Sequence, residues 1–211
     1  MTRIQHHIPD DVLDTYRTGT LPHAFAVVVA AHLSLCDECR ARAEAQDMLG
    51  GALLDRTEGA ALAPGARDRL MAALDTSPPP PPPQRGSGVF PAPVMAELGG
   101  QPPRWRMLGG GIRQQILTSD QDGSLRLLYI PPGKAVPEHG HRGLELTLVL
   151  QGSFSDSEGA FHRGDVETAH DAIDHQPVAG SGAPCICLAA TNAPLRFQAL
   201  VPRLLQPIFR I

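Results

Sequence analysis

Two short stretches of the chain carry residues with the chemistry of metal ligands. In the first, His32, Cys36 and Cys39 form an H-x3-C-x2-C pattern. His32 and Cys36 are four residues apart and Cys36 and Cys39 three, each about one helical turn. One imidazole and two thiolates can therefore face a common point. Thiols near a helix N-terminus also ionise more readily. A structural zinc takes a fourth ligand to complete its tetrahedron. The pair His6-His7, just before the first helical segment, is the source of that ligand, and spacing alone does not choose between them. His23 reads as an exposed helix residue.

The second stretch runs from Gly133 to Gly152 and has the form G-x5-H-x-H-x3-E-x6-G, with His139, His141 and Glu145 as its polar centres. Residues two apart on a strand point the same way, so both imidazoles share a face, and Glu145 keeps that parity if no bulge intervenes. Two imidazoles and a carboxylate suit a divalent ion such as Zn, Mn, Fe or Ni. The spacing resembles the first motif of metal-binding cupins. That resemblance implies a third histidine from a later hairpin. His175, 30 residues beyond Glu145, is best placed by distance, and His170 and His162 compete with it. The usual second cupin motif, P-x-G-x2-H-x3-N, does not occur. Cys185 and Cys187 put two thiols on one face of a strand, either as a redox pair or, more simply, as buried core.

The elements that must position these groups change character along the chain. The first third reads as helical. Asp10 or Asp11 caps a short helix that runs to about Thr18 and stops at Gly19. Pro22 opens a second through Phe25, Val28, Val29 and His32. Asp37 and Glu38 open a third that continues to about Asp55, and a fourth spans Pro64 to Leu74. Six consecutive prolines, Pro78 to Pro83, then favour extended polyproline II. Residues 76–93 read as a linker, a spacer rather than an SH3-type ligand. The remainder is β: strands are predicted at Arg104–Leu108, Ile112–Ser119, Leu125–Ile130, Glu145–Leu150 and Cys185–Ala190, with turn signals between them. Leu144, Leu146, Leu148 and Leu150 make the Glu145 strand apolar on both faces. Its outer side must therefore be covered by another sheet, a second subunit or the helical segment.

Charge narrows the function classes. Residues 1–75 hold 7 Arg against 11 Asp and Glu, whereas residues 76–211 are balanced at 11 of each sign. An acidic first third argues against direct DNA binding, which needs a basic surface. It suits a basic partner. The longest apolar run, Ala24 to Ala31, is far shorter than the roughly 20 residues a membrane span needs. No secretory signal is apparent, so the expected location is the cytoplasm. Paired cysteines in a reducing compartment point to metal or redox chemistry rather than disulfides.

The segment Val27-Val28-Val29-Ala30-Ala31-His32-Leu33-Ser34-Leu35-Cys36-Asp37-Glu38-Cys39-Arg40, following an early histidine, resembles the zinc-binding anti-sigma domain family, and within it the ChrR-type anti-sigma factors. The resemblance extends over His139–Gln151 and Cys185–Pro194. It implies a multidomain α + β chain: a small N-terminal zinc-stabilised helical bundle (1–75), the Pro-rich linker (76–93) and a C-terminal all-β cupin barrel (94–211). It implies zinc held by His7, His32, Cys36 and Cys39, and a second metal, again zinc, held by His139, His141, Glu145 and His175. It implies an extracytoplasmic-function-type sigma factor as the partner of residues 1–75, released when the cupin senses singlet oxygen or organic hydroperoxide. A metal-dependent cupin enzyme, a dioxygenase or isomerase, is the alternative, since the same ligands serve catalysis in other cupins. The helical segment argues against it, because a stand-alone enzyme has no use for one.

Overall fold

The computed structural model describes residues 3–76, 78, 84–171 and 174–197 of the 211-residue chain. Its first part is helical: α1 (Asp10–Arg17), α2 (His23–Leu33), α3 (Asp37–Asp55) and α4 (Ala66–Thr76). Pro9 and Pro22 stand at the N-caps of α1 and α2, where a missing amide costs nothing. Asp10 and Asp11 thus lie in the first turn of α1 rather than capping it, favourable to the helix dipole but making no cap hydrogen bond. Gly19 ends this unit at φ +72°, a left-handed conformation that glycine adopts without a Cβ clash. The Cys36 side chain caps α3 by accepting from the Cys39 amide at 3.5 Å.

α2 is apolar all round, with Ala24, Phe25, Val27, Val28, Val29 and Ala31 all buried. Such a helix belongs inside a structure. It lies between α1 and α3 on one side and a β-sheet on the other. Burial thus overrides the weak helix propensity of three consecutive valines.

A short helix, α5 (Ala92–Glu97), follows the proline-rich stretch and buries Val94 and Met95 against the same core as α2. This corrects the expectation of a linker through residue 93: Pro91 caps α5, and ordered structure begins before the barrel. Of the proline run only Pro78 falls among the described residues.

Among the described residues twelve strands follow: β1 (Arg106–Gly109), β2 (Ile112–Asp120), β3 (Gly123–Ile130), β4 (His139–Gly140), β5 (Glu145–Gln151), β6 (Ser153–Ser155), β7 (Ala160–His162), β8 (Val166–Ala169), β9 (Asp174–His175), β10 (Val178–Ala179), β11 (Cys185–Thr191) and β12 (Arg196–Phe197). A six-stranded antiparallel sheet has the order β1-β2-β3-β11-β5-β8, and two three-stranded sheets, β10-β6-β7 and β12-β4-β9, complete the barrel. The predicted strands all form, with ends shifted by one or two residues.

Side chains alternate across the large sheet. Leu125, Leu127, Leu146, Leu148, Leu150, Ile186, Leu188 and Ala190 face outward, into one continuous cluster with Phe25, Val28 and Val29 of α2. Ile130, Val149, Cys185 and Cys187 face inward and pack with Phe154 and Phe161. The helical unit is therefore what covers the doubly apolar strand β5. Helices and barrel share one core.

Candidate metal centres

The first centre forms where the N-terminal segment meets α2 and α3. His7, His32, Cys36 and Cys39 bring one ligand atom each within 4.8 Å of one another. The His7 Nδ1 lies 3.4 Å from both sulfurs. His32 is fully buried, and its Nδ1 lies 2.9 Å from the Gly164 carbonyl. A carbonyl only accepts, so Nδ1 carries the proton and the Nε2 lone pair faces the thiols. That Nε2 has no hydrogen-bond partner among the described residues. Burial holds the ring neutral, lowering its pKa to about 4 against a smaller opposing effect of the Gly164 bond. Burial likewise raises the Cys39 thiol, and Cys36 beside it adds to this. Two crowded thiols and an orphaned imidazole nitrogen, all dry, lack a positive charge at their centre. Zinc fits this donor set.

His6, the other candidate for the fourth ligand, turns away. Its ring packs on Phe161 at 4.5 Å between centroids, and its amide donates to Asp165. His23 is exposed and pairs with Glu97 at 3.0 Å.

The second centre lies within the barrel. β4 and β9 pair so that His139 stands opposite His175. The Nε2 of His175 lies 3.1 Å from that of His141 and 3.2 Å from that of His139. The outer nitrogens fix the rings: His139 Nδ1 donates to the Pro137 carbonyl at 2.9 Å, and His175 Nδ1 donates to Asp156 at 2.6 Å with Glu167 at 3.1 Å. Three imidazole Nε2 atoms thus converge on one point, the donor set of a divalent cation. Burial would lower the His175 pKa, but Glu167 and Asp156 outweigh it and raise it to about 9. Burial, with Asp156 adding, pushes Glu167 up to about 7.

Among the described residues, this close cluster holds the three imidazoles without Glu145. The Glu145 carboxylate instead faces the Nδ1 side of His141 at 3.6 Å and accepts from the Thr147 hydroxyl at 3.0 Å. His162 and His170 are exposed and take no part. Cys185 and Cys187 are buried with their sulfurs 3.4 Å apart. The contact with Cys185, followed by burial, holds the Cys187 thiol well above its ordinary pKa, so it is protonated and a poor nucleophile.

A cavity of about 500 Å³ opens onto this centre, with His139, His175, Glu145, Glu167 and Arg126 among its polar walls and Ile112, Leu128, Ile130 and Phe154 among its apolar ones. Arg126, Asp156, Asp165 and Glu167 escaped the reading of the sequence. Arg126 had one signal, a cation on the inward face of an otherwise apolar strand. The three acids had none.

Residues 101–194 match the family of ChrR cupin-like domains. Over its whole length, 99% of each chain, the protein is 53% identical to the anti-sigma-E factor ChrR of Cereibacter sphaeroides. The chain belongs to the ChrR family of anti-sigma factors. A crystal structure of Rhodobacter sphaeroides SigE in complex with the anti-sigma ChrR superposes with a TM-score of 0.78, at 50% identity, covering 89% of this chain and 99% of that ChrR chain. An RmlC-like cupin protein from Ralstonia eutropha, 20% identical, matches 46% of this chain and 68% of its own with a TM-score of 0.42. Members of the ChrR family are regulators, so the dioxygenase or isomerase reading of the barrel is set aside.

Proposed function

We propose that residues 1–75 capture an extracytoplasmic-function-type sigma factor and keep it from RNA polymerase, and that the barrel, 94–211, governs its release. One observation carries the capture. Beyond Ala43, α3 has no buried residue, and Met48, Leu53 and Leu54 are 59–77% exposed. On α4, Leu70, Met71 and Leu74 are exposed as well. Two helices thus leave large apolar side chains uncovered, a feature of interaction surfaces. The similar ChrR chain was solved in a complex with SigE. A sigma factor is the partner that covers this surface, and the acidic balance of residues 1–75 suits it. Such a partner places the protein in the cytoplasm. No helix among the described residues is long and apolar enough to cross a membrane.

Zinc at His7, His32, Cys36 and Cys39 has a structural role in this account. It ties the N-terminal segment to α2 and α3, and so sets the angle at which α3 leaves the bundle. The barrel is the sensor of singlet oxygen or organic hydroperoxide. An ion bound by His139, His141 and His175, with Glu145 beside them, would supply a Lewis-acidic centre at the cavity. The protein's part is to hold the His139 and His175 rings in one orientation, so that chemical change in either ring breaks a contact with Pro137, Asp156 or Glu167. Coexpression with the sigma factor encoded beside the gene tests the reading. A complex that captures sigma in the dark and loses it under singlet oxygen supports it, and a complex indifferent to oxidant removes the sensor.

A further inference from the structure

The segment that runs from β7 through a tight turn into β8 touches both candidate metal centres. At its turn, the Gly164 carbonyl accepts the His32 Nδ1–H at 2.9 Å. Next to it the Asp165 carboxylate, 1% exposed, accepts from the amides of Gln5 at 2.7 Å, His6 at 3.0 Å and, within the same turn, His162 at 2.7 Å. The Val166 amide donates to the His6 carbonyl at 3.1 Å. His7, the next residue, carries the nitrogen that faces both thiols. The fit is close. A Cβ on Gly164, whose φ is +96°, would stand 2.6 Å from Ile4.

One residue beyond Val166, the same strand sends Glu167 into the barrel, 3.1 Å from the Nδ1 of His175. Phe161, on the other strand, stacks at 4.9 Å on Phe154 of the cavity wall and meets the His6 ring on its other side. At a strand rise of about 3.3 Å per residue, Glu167 and Gly164 are separated by no more than about 10 Å of backbone. The backbone between them is short, and Gly164 and Asp165 are tied to Val149 of β5 by N–H to O bonds of 2.8 and 3.0 Å, so a shift of Glu167 is carried to Asp165 and Gly164.

We propose that the 160–169 segment couples the two metal centres, and that Asp165 is the positioning residue that holds residues 5–7 at the zinc ligands. This rests on the reading of both clusters as metal sites. Metal on the barrel imidazoles orders His175 and Glu167. Through β8 that order fixes Gly164 and Asp165, and zinc leaves the first centre more slowly. Loss or alteration of the barrel metal frees this segment, loosens residues 5–7 and so loosens the helices that hold the sigma factor. By linkage, zinc at the first centre must equally favour metal in the second.

The test uses the full chain loaded with zinc, its metal content measured first. Transfer of zinc to a chromogenic chelator is then followed in the wild type, His141→Ala, Asp165→Asn and the double variant. Coupling predicts release from the helical site about tenfold faster when His141→Ala empties the barrel. It also predicts that Asp165→Asn, which keeps the shape but loses the double acceptor, removes the difference. Amide hydrogen exchange in the wild type gives a reading that needs no variant: protection at Gln5 and His6 must fall when the barrel metal is removed. Equal release rates and unchanged exchange in a chain shown to hold two ions overturn the coupling. A chain that binds fewer than two ions overturns the reading of the clusters beneath it.

Discussion

The imidazole of His32, a residue of the helical unit, is oriented by the carbonyl of Gly164, a residue of the barrel, across 2.9 Å. A ligand's second nitrogen usually finds a partner in its own domain. Here the partner lies 132 positions away. The geometry of the proposed zinc ligands in one unit is therefore a property of the docked pair, and several outcomes follow from that arrangement.

Replacing Cys36 and Cys39 together by Ser removes both soft ligands. Zinc affinity should fall by more than the roughly 100-fold that loss of an outer partner costs. Sigma capture should be lost with it, as read by metal analysis and copurification. A zinc-free double variant that still captures sigma fully would remove the structural role of the metal.

Leu148 is wholly buried in the cluster shared by β5 and α2. Leu148→Ala should cost about 2–5 kcal/mol. Because the core is common, helical and barrel signals should move together in one melting transition. Two separate transitions, with only the barrel's shifted, would contradict the shared core.

Acid should weaken the chain through His32. Its folded pKa of about 4 lies below the ordinary histidine value, because burial disfavours the imidazolium. The unfolded chain therefore binds the proton first as pH falls. Stability is full above about pH 6.5 and declines toward pH 4, by up to about 3 kcal/mol from this group. Protons competing with zinc for the same nitrogen act in the same direction. Melting temperatures between pH 7.5 and 5 check it, and a flat profile would show His32 is not buried neutral.

Substituting His141 or Glu145 by Ala leaves residues 1–75 intact, so sigma should still be captured, though less tightly where the barrel metal is lost. It should weaken the response to oxidant, measured as release of sigma after exposure to singlet oxygen. An unchanged response would take the barrel centre out of sensing.

Leu54→Asp and Leu74→Asp place charges on the exposed apolar face. Both positions are at least 60% exposed, so stability should change by no more than about 0.5 kcal/mol. Affinity for sigma should fall by tenfold or more, about 1.4 kcal/mol. Unaltered binding, read by titration of labelled sigma, would move the capture surface elsewhere.

Much of the two centres was legible because metal ligands come in fixed spacings. H-x3-C-x2-C and the His139, His141, Glu145 pattern need only local geometry, and the long helix from Asp37 and the strand at Glu145 are long enough to declare their period. Contacts between distant segments left no such trace. The leucines of β5 said that its outer face was covered, but not that α2 covered it. α5 hid within proline-rich composition, its six residues too few for a helical period. β4 and β9, which carry His139 and His175, have two residues each and show no alternation. Asp165 and Glu167 are ordinary acids in sequence. Only the fold buries one beneath the N-terminal segment and sets the other beside His175.

Capture of a sigma factor is the central claim, and copurification with metal analysis tests it most directly. The full chain and residues 1–76 would each be coexpressed with the sigma factor encoded beside the gene. We expect both to retain sigma, with about one zinc in the short chain and a second ion in the full one. Full metal loading of both chains without sigma on either would contradict the account and return attention to the barrel cavity as a site for a small-molecule substrate.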